Sequence, residues 1–225
     1  MSYKYTVVYA ESQRHFKIYV LPLRGLHETY THMDTKGKKI ILGSGSPRRR
    51  ELLSGLDICF EVDTRNSFEE EYDAGISREK IPQVLSEGKS MGFHRELSGD
   101  EILLTSDTLV LCGDRVMGKP HSREEAVDML KCLSGCSHKV ITAVTIRNNE
   151  KMKTVSDTAI VHLKQLTDSE IEYYVDNYRP FDKAGAYGIQ EWIGYVGIER
   201  IEGSYFTIVG LPVHLAYELL LEFIG

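Results

Sequence analysis

The stretch Gly43-Ser44-Gly45-Ser46-Pro47-Arg48-Arg49-Arg50 decides the first part of the fold, because it lies between two apolar runs. Ile40-Ile41-Leu42 precedes it and Leu52-Leu53 follows it, which indicates a strand, a tight loop and then a helix. Ser46 is a natural N-cap, and Pro47 suits the first helical position. Free backbone N–H groups at such a helix start attract anions, and arginines there add charge-assisted hydrogen bonds to phosphate. The stretch therefore predicts a phosphate-binding loop. It is not a P-loop, because no Gly-Lys-Ser/Thr follows the glycines.

A second fragment, Thr105-Ser106-Asp107-Thr108, lies between the apolar runs 102–104 and 109–111. We expect Asp107 at the end of an apolar strand, with a hairpin turn at Gly113-Asp114. A carboxylate has no role in packing there. Asp107 is therefore either a turn or cap residue, a group that activates water, or a ligand for a cation.

The composition limits the possible functions. The chain has 225 residues, 42% of them hydrophobic and 27% charged, which is ample for a buried core and argues against disorder. A formal net charge of −6 argues against broad nucleic-acid binding. A phosphorylated ligand thus needs a local cluster of Lys and Arg. The Arg48-Arg49-Arg50 run suits such a cluster, although a solvated helix face is the alternative.

The sequence also indicates a compartment. The four cysteines show no paired zinc spacing, which favours free thiols in a reducing environment. No apolar stretch approaches the roughly 20 residues of a membrane span, and the first residues lack the apolar core of a signal peptide. We therefore expect a cytoplasmic protein that does not associate with membranes.

The pattern beyond Lys39 alternates between strands and helices without a regular βαβ repeat. Capping boxes at Ser122 and Thr167 predict two helix starts, and the second helix is expected to bury Tyr178 before it stops at Arg179-Pro180. Apolar alternation predicts neighbouring strands over 139–147 and 154–163 and a packing helix over 215–223. The fold class predicted from this pattern is α/β with a mixed sheet and flanking helices.

Residues 1–32 differ from the rest of the chain. They are rich in Tyr and His and contain short β-like pieces at 5–9 and 16–21. Met33 is a plausible natural start. We expect residues 1–32 to be an N-terminal extension outside the fold, either from an upstream start codon or as a poorly packed arm, and residues 33–225 to be a single catalytic domain.

Six motifs in order resemble the Maf family of nucleoside triphosphate pyrophosphatases, from about Lys39 to Phe223. They are S-x-S-P-R-R, D-T at Asp107, G-K-P at Gly118, L-S-G at Leu133, D-K-A-G-A-Y-G-I-Q from Asp182 to Gln190, and G-S-Y with V-G-L-P. The resemblance implies a twisted mixed sheet in two lobes around a deep cleft, similar to inosine triphosphate pyrophosphatase. It also implies a homodimer, a nucleoside triphosphate substrate and a divalent cation, Mg²⁺ or Mn²⁺.

The resemblance assigns roles to individual residues. Asp107 matches the proton acceptor, and the same oxygen is also a candidate for holding the cation. Counting back from Ile81 places the family's glutamate at Glu70, as a metal ligand or structural partner, with Glu69 as the alternative. The substrate-binding residues implied by the resemblance are Ser44, Arg48, Arg49, Lys89 and Lys119.

Base specificity is implied by Arg49, Thr108 and Gln190, which match the dTTP/UTP-cleaving branch. An amide such as that of Gln190 donates and accepts at once, as a uracil or thymine edge requires. A purely structural bond from Gln190 to a neighbouring loop is the alternative. Two other functions stay open, namely the same reaction on 7-methyl-GTP and a non-catalytic nucleotide-binding regulator of cell division. The chain departs from the usual family residues at Ser90, Ser106 and Ala143, which bears on substrate tuning.

Overall fold

The computed structural model describes the strands Tyr5–Ser12 and His15–Pro22 and residues 34–225. The chain divides into two compact units, Met1–His32 and Met33–Gly225. In the first unit, β1 (Tyr5–Ser12) pairs antiparallel with β2 (His15–Pro22), which confirms the predicted β-like pieces. Met33, the predicted start, lies outside the described residues.

The second unit contains a seven-stranded mixed sheet, as predicted. Its order is β4-β3-β5-β7-β8-β9, with β6 paired to β5. β3 runs parallel to both β4 and β5, whereas all other neighbours are antiparallel. The strands are β3 (Lys39–Leu42), β4 (Phe60–Val62), β5 (Glu101–Cys112), β6 (Arg115–Met117), β7 (Ser137–Arg147), β8 (Met152–Leu163) and β9 (Ile198–Glu202).

Seven helices accompany these strands in the described residues. They are α1 (Pro47–Ser54), α2 (Ile81–Met91), α3 (Arg123–Leu133), α4 (Asp168–Tyr178), α5 (Trp192–Gly197), α6 (Tyr205–Val209) and α7 (Val213–Ile224). Short 3₁₀ turns lie at Arg78–Lys80 and Ala184–Ala186. No helix in residues 34–225 has the length and apolar character needed to span a bilayer.

The predicted helix starts are observed, with one change. Ser46 accepts from the backbone N–H of Arg49, with Pro47 at the first turn, and Thr167 forms a complete capping box. At α3, however, Ser122 accepts from the Glu125 N–H, while the Glu125 carboxylate accepts from the N–H of His121. The reciprocal half of that predicted box is wrong, because the Glu125 carboxylate accepts from the residue before the N-cap instead.

The predicted burial of Tyr178 is also wrong. Its side chain is 37% exposed, whereas Tyr174, one turn earlier on α4, is fully buried and stacks against it. The helix ends at Tyr178, and Arg179 turns into the left-handed region. The last residue therefore covers the edge of the core without entering it.

The prediction that Asp107 ends a strand is wrong as well, because the two apolar runs belong to one twelve-residue strand, β5. Ile102 and Leu104, in the first half of β5, join one buried cluster with α7, while Val110, in the second half, joins another with α3 and α4. Asp107 lies between them, opposite Ala143 of β7. A polar stretch is tolerated inside this central strand because side chains that are distant in sequence pair with its polar groups, as described below. The expected two-lobed shape stays a prediction.

Candidate active site

The functional side chains predicted from the sequence surround one cavity of about 460 Å³. Its walls are the loop and start of α1, the centre of β5, residues 64–70, part of α2, residues 182–190 and residues 208–210. All nine predicted site residues line it: Ser44, Arg48, Arg49, Glu70, Lys89, Asp107, Thr108, Lys119 and Gln190. Glu69, the alternative to Glu70, is absent from the described lining.

Lys89 connects the two predicted carboxylates. Its ammonium nitrogen lies 2.5 Å from Oδ1 of Asp107 and 2.8 Å from Oε1 of Glu70. Asp107 is buried, whereas the Glu70 side chain is 55% exposed. The ammonium thus marks a point at which one oxygen from β5 and one from the 64–70 segment converge.

This convergence tests whether the residues fit a divalent cation. The ammonium stands in for a cation bound to both oxygens, and Mg²⁺ usually takes one or two carboxylates together with phosphate oxygens. Two converging carboxylates in a cavity lined by cationic side chains therefore suit Mg²⁺ or Mn²⁺. No group of three or more His, Cys, Asp or Glu residues within the described ranges forms a cage for a metal on its own.

The 64–70 segment is fixed by Gly88 in α2 and by Gly92 directly after the helix. The ring of Phe68 lies against Gly88, so closely that a Cβ there would be 2.2 Å from the nearest ring carbon. A Cβ on Gly92 would be 2.6 Å from Cβ of Phe68 and from Oδ1 of Asn66. Asn66 also donates its amide to the carbonyl of Lys89 and accepts from the N–H of Phe68. The glycine pair thus holds Phe68, and with it the residues leading to Glu70.

The charge balance around Glu70 favours its ionised form. Partial burial opposes the carboxylate, but the hydrogen bond and charge of Lys89, with the charges of Lys119 and Arg49, outweigh it. The pKa of Glu70 therefore lies below its ordinary value. Because the carboxylate stays charged at neutral pH, it remains available as a cation ligand.

Three nitrogens of Arg49 donate hydrogen bonds to other groups of the protein. Nε donates to the carbonyl of Gly210 at 2.8 Å, and one terminal nitrogen donates to Oγ1 of Thr108 at 3.0 Å. The other lies 3.3 Å from Oγ of Ser44. Burial lowers the pKa of Arg49, and the charge of Asp107 opposes that shift. Arg49 thus connects the α1 loop, β5 and the Gly210 turn into one wall.

Arg48 faces the opposite wall. It donates to Oδ2 of Asp182 at 2.7 Å and to the carbonyl of Asp182 at 3.2 Å. Arg50, the third arginine of the run, is exposed and does not line the cavity. The solvated-face alternative therefore describes Arg50 only.

Thr108 and Gln190 define the end of the cavity predicted to recognise the base. The hydroxyl of Thr108 lies 3.0 Å from that of Thr142, which donates to the carbonyl of Thr207. Oε1 of Gln190 is buried, and no donor among the described residues reaches it. A buried acceptor without a partner is unfavourable by about 1–3 kcal/mol, and no bond from this oxygen to a neighbouring loop is present among the described residues.

Sequence reasoning assigned no role to four residues that are bonded to one another around the 182–191 segment, namely Asp182, Lys183, Glu191 and Tyr174. Lys183 is buried, and its nitrogen lies 2.7 Å from Oδ1 of Asp182 and 3.1 Å from Oε1 of Glu191. Glu191 also accepts from the hydroxyl of Tyr174. The opposite charges of Asp182 and Lys183 at the head of a glycine-rich stretch were a usable signal, whereas nothing local pointed to Tyr174.

The charged side chains that line the cavity are mostly cationic, whereas the chain as a whole is acidic. Five cationic and three anionic side chains line it, in a chain with a formal net charge of −6. Asp182 lies inside this field. Burial opposes its ionisation, but its bonds to Lys183 and Arg48 bring its pKa to about 2. The expected local concentration of positive charge is therefore present, and it suits a polyanion.

Comparison with known proteins identifies the family of the chain. The family model described as Maf-like protein matches residues 39–223. The chain is 47% identical over 190 residues to a dTTP/UTP pyrophosphatase of Porphyromonas gingivalis strain W83, covering 84% of this chain and 96% of that protein. It is 48% identical over 188 residues to a dTTP/UTP pyrophosphatase of Parabacteroides distasonis, covering 84% and 97%. A third protein of that name, from Bacteroides thetaiotaomicron, is 45% identical over 179 residues, covering 80% and 93%.

Proposed function

This chain belongs to the Maf family, and on that premise we propose that it hydrolyses dTTP and UTP to the nucleoside monophosphate and pyrophosphate. The observation that carries the proposal is a single cavity that combines a cationic wall, two converging carboxylates and the side chain of Gln190. The first suits a triphosphate, the second its hydrolysis, and the third a base.

The triphosphate is proposed to bind along the wall that carries Ser44, Arg48, Lys89 and Lys119. Lysine ammonium groups are compact point charges that suit flexible phosphates, and arginine adds planar donors. Gly185 donates its N–H to the carbonyl of Gly118 at 3.0 Å, which connects the Lys119 loop to the 182–190 segment. Charge neutralisation and positioning dominate this type of phosphoryl chemistry.

Asp107 is proposed to take the proton of the attacking water. The water oxygen forms a new bond to the α phosphorus, and one proton of the water passes to the carboxylate. The anhydride bond between the α and β phosphates breaks, and pyrophosphate leaves with the electron pair. A buried carboxylate fixed on a central strand is well placed for such general base catalysis.

Glu70 and Asp107 are proposed to hold Mg²⁺ or Mn²⁺ together with phosphate oxygens. The cation supplies charge neutralisation at the phosphates and at the leaving pyrophosphate. The convergence of both carboxylates on the Lys89 ammonium supports this assignment.

Gln190 is proposed to read the base. Thymine and uracil carry an N–H between two carbonyl groups, so an amide accepting at Oε1 and donating from its nitrogen matches their edge. Arg49 and Thr108 are proposed to set the shape of this end through their mutual bond.

The wider properties follow from the family and the composition. We propose a cytoplasmic enzyme, since all four cysteines are free thiols, and a C2 homodimer, the commonest symmetric assembly. We also propose residues 33–225 as the catalytic domain. Deletion of residues 1–32 should leave kcat/KM unchanged, and light scattering should report twice the chain mass.

The test is product analysis of the purified protein with Mg²⁺ and, separately, Mn²⁺. The substrate panel is dTTP, UTP, CTP, GTP and 7-methyl-GTP, with pyrophosphate and phosphate measured separately. Pyrophosphate released mainly from dTTP and UTP supports the proposal. Release mainly from 7-methyl-GTP overturns the base assignment but keeps the reaction. Absence of turnover with either metal would favour the nucleotide-binding regulator.

A further inference from the structure

Glu191, the residue directly after Gln190, is held at both oxygens. Oε1 lies 3.1 Å from the ammonium of Lys183, and Oε2 accepts a short hydrogen bond from the hydroxyl of Tyr174. Its side chain is mostly shielded from solvent, at 21% exposed. A carboxylate with two charged or polar partners in this setting has little freedom to move.

Tyr174 contacts the same segment a second time. Its hydroxyl oxygen accepts from the backbone N–H of Gly188 at 2.9 Å. The side chain is fully buried in the core that α4 forms with α3, and burial, with the bond to Glu191, raises its pKa. The hydroxyl therefore remains a donor toward Glu191 while it accepts from Gly188.

These two bonds bracket Ile189 and Gln190. The hydroxyl of Tyr174 is joined to position 188 on one side and to position 191 on the other, so the two residues between them form a short loop anchored to α4. The anchor is tight, because a Cβ on Gly188 would lie 2.8 Å from Cδ of Glu191. Gln190 makes no comparable anchor through its own Oε1.

We propose that Tyr174 and Glu191 are positioning residues for base recognition, which fix the backbone on both sides of Gln190 so that its amide faces the base. This inference rests on the proposed function. Neither residue lines the cavity, so neither touches the substrate. Loss of either bond should therefore weaken selection of the base and leave the hydrolytic step intact.

The decisive variant is Tyr174→Phe, which keeps the ring in the core and removes both bonds. We expect KM for UTP to rise and the preference for UTP over CTP to fall, each by about tenfold, with kcat within about twofold, since a site built to hydrogen-bond a base loses discrimination when that geometry relaxes. Glu191→Gln, which keeps an oxygen that accepts from Tyr174, should have a smaller effect than Glu191→Ala. The matched control is Tyr173→Phe, an exposed tyrosine one position earlier on α4.

Two readouts separate this inference from the proposed function. The first is the UTP-to-CTP ratio of kcat/KM. The second is the Kd of a non-hydrolysable α,β-methylene UTP against its CTP counterpart, which reports on recognition without turnover. Unchanged ratios in Tyr174→Phe overturn the positioning role even if the wild type is active. A wild type that binds UTP selectively without hydrolysing it overturns the proposed reaction, and a Tyr174→Phe variant that then loses this selectivity supports the inference. An equal loss of activity with all bases, with lower thermal stability, indicates a structural role and also overturns it.

Discussion

Replacement of Gly88 by alanine should show how tightly the Phe68 ring packs against α2. The helix favours alanine over glycine at this position, whereas the ring leaves no room for a Cβ. The new Cβ would lie 2.2, 2.3 and 2.7 Å from three ring carbons of Phe68. Carbon atoms at their optimal separation are about 3.5–4.0 Å apart, so the ring must move by about 1 Å or more. Such overpacking is destabilising by about 1–3 kcal/mol. An alanine in a helix interior is otherwise favoured over glycine by about 1 kcal/mol.

A double-mutant cycle isolates the clash. In the Phe68→Ala background the ring is gone, so Gly88→Ala should raise the free energy of unfolding by about 1 kcal/mol through helix propensity alone. In the wild-type background the change in the free energy of unfolding caused by Gly88→Ala should be lower than in the Phe68→Ala background by about 1–3 kcal/mol, which is the contribution of overpacking. Urea unfolding of the four proteins measures both values. Gly99→Ala is a control for the clash alone, since Gly99 lies in a turn and its Cβ would meet nothing closer than 3.9 Å.

The cycle also bears on the site. Because Phe68 leads to Glu70, displacement of the ring should raise the Mg²⁺ concentration needed for half-maximal activity of Gly88→Ala. If Gly88→Ala has the same effect on stability in both backgrounds, the ring is not seated on the glycine and the reasoning is wrong.

Three further predictions concern charge. Asp107→Asn should lower kcat by at least about 100-fold, with nucleotide Kd little changed in calorimetry, because it removes a general base. Near-normal turnover would exclude that role, and Asp128→Asn, at an exposed position of α3, is the control. Lys89→Met should tighten Mn²⁺ binding in the absence of nucleotide, because the Lys89 ammonium occupies the carboxylate oxygens assigned to the cation. Electron paramagnetic resonance measures this affinity, and an unchanged value would mean that the ammonium and the cation do not compete. Burial, with the charge of His162, lowers the pKa of His138 to about 4. The folded protein therefore holds His138 neutral at a pH where the unfolded chain would bind a proton, and folding stability is lost as the pH falls from about 6.5 to 4. His138→Gln should remove up to about 3 kcal/mol of that acid sensitivity in urea unfolding, and an equally steep loss in the variant would contradict it.

Local signals allowed the helix starts to be predicted from the sequence. Ser46 with Pro47, and Thr167 with Glu170, act within one turn of chain, so the residues that determine the structure are adjacent in sequence. The apolar alternation of β7 and β8 is equally local. The family motifs then brought nine side chains to one cavity without any structural information.

What escaped prediction depends on partners distant in sequence. Asp107 was expected at a strand end because polar residues usually interrupt strands, yet here Lys89 of α2 pairs with it inside β5. Arg49 was assigned to substrate binding and to base specificity, and its bonds to Ser44, Thr108 and Gly210 gave no signal in the sequence. Tyr174 carries no motif, and its contacts with Gly188 and Glu191 exist only once α4 packs beside them.

The two carboxylates at the centre of the cavity differ in their tolerance of sequence change. Asp107 belongs to β5, which pairs with β7 at this position, while β3 and β6 pair with the two ends of the strand on its other side. Substitutions around Asp107 therefore disturb the sheet as well as the chemistry. Glu70 belongs to a segment in which residues 69–75 are all exposed. Surface substitutions of this kind usually change stability by no more than about 0.5 kcal/mol. Because Glu70 is the member of this range that lines the cavity, the cation preference proposed for the site can be altered at this position at little risk to folding.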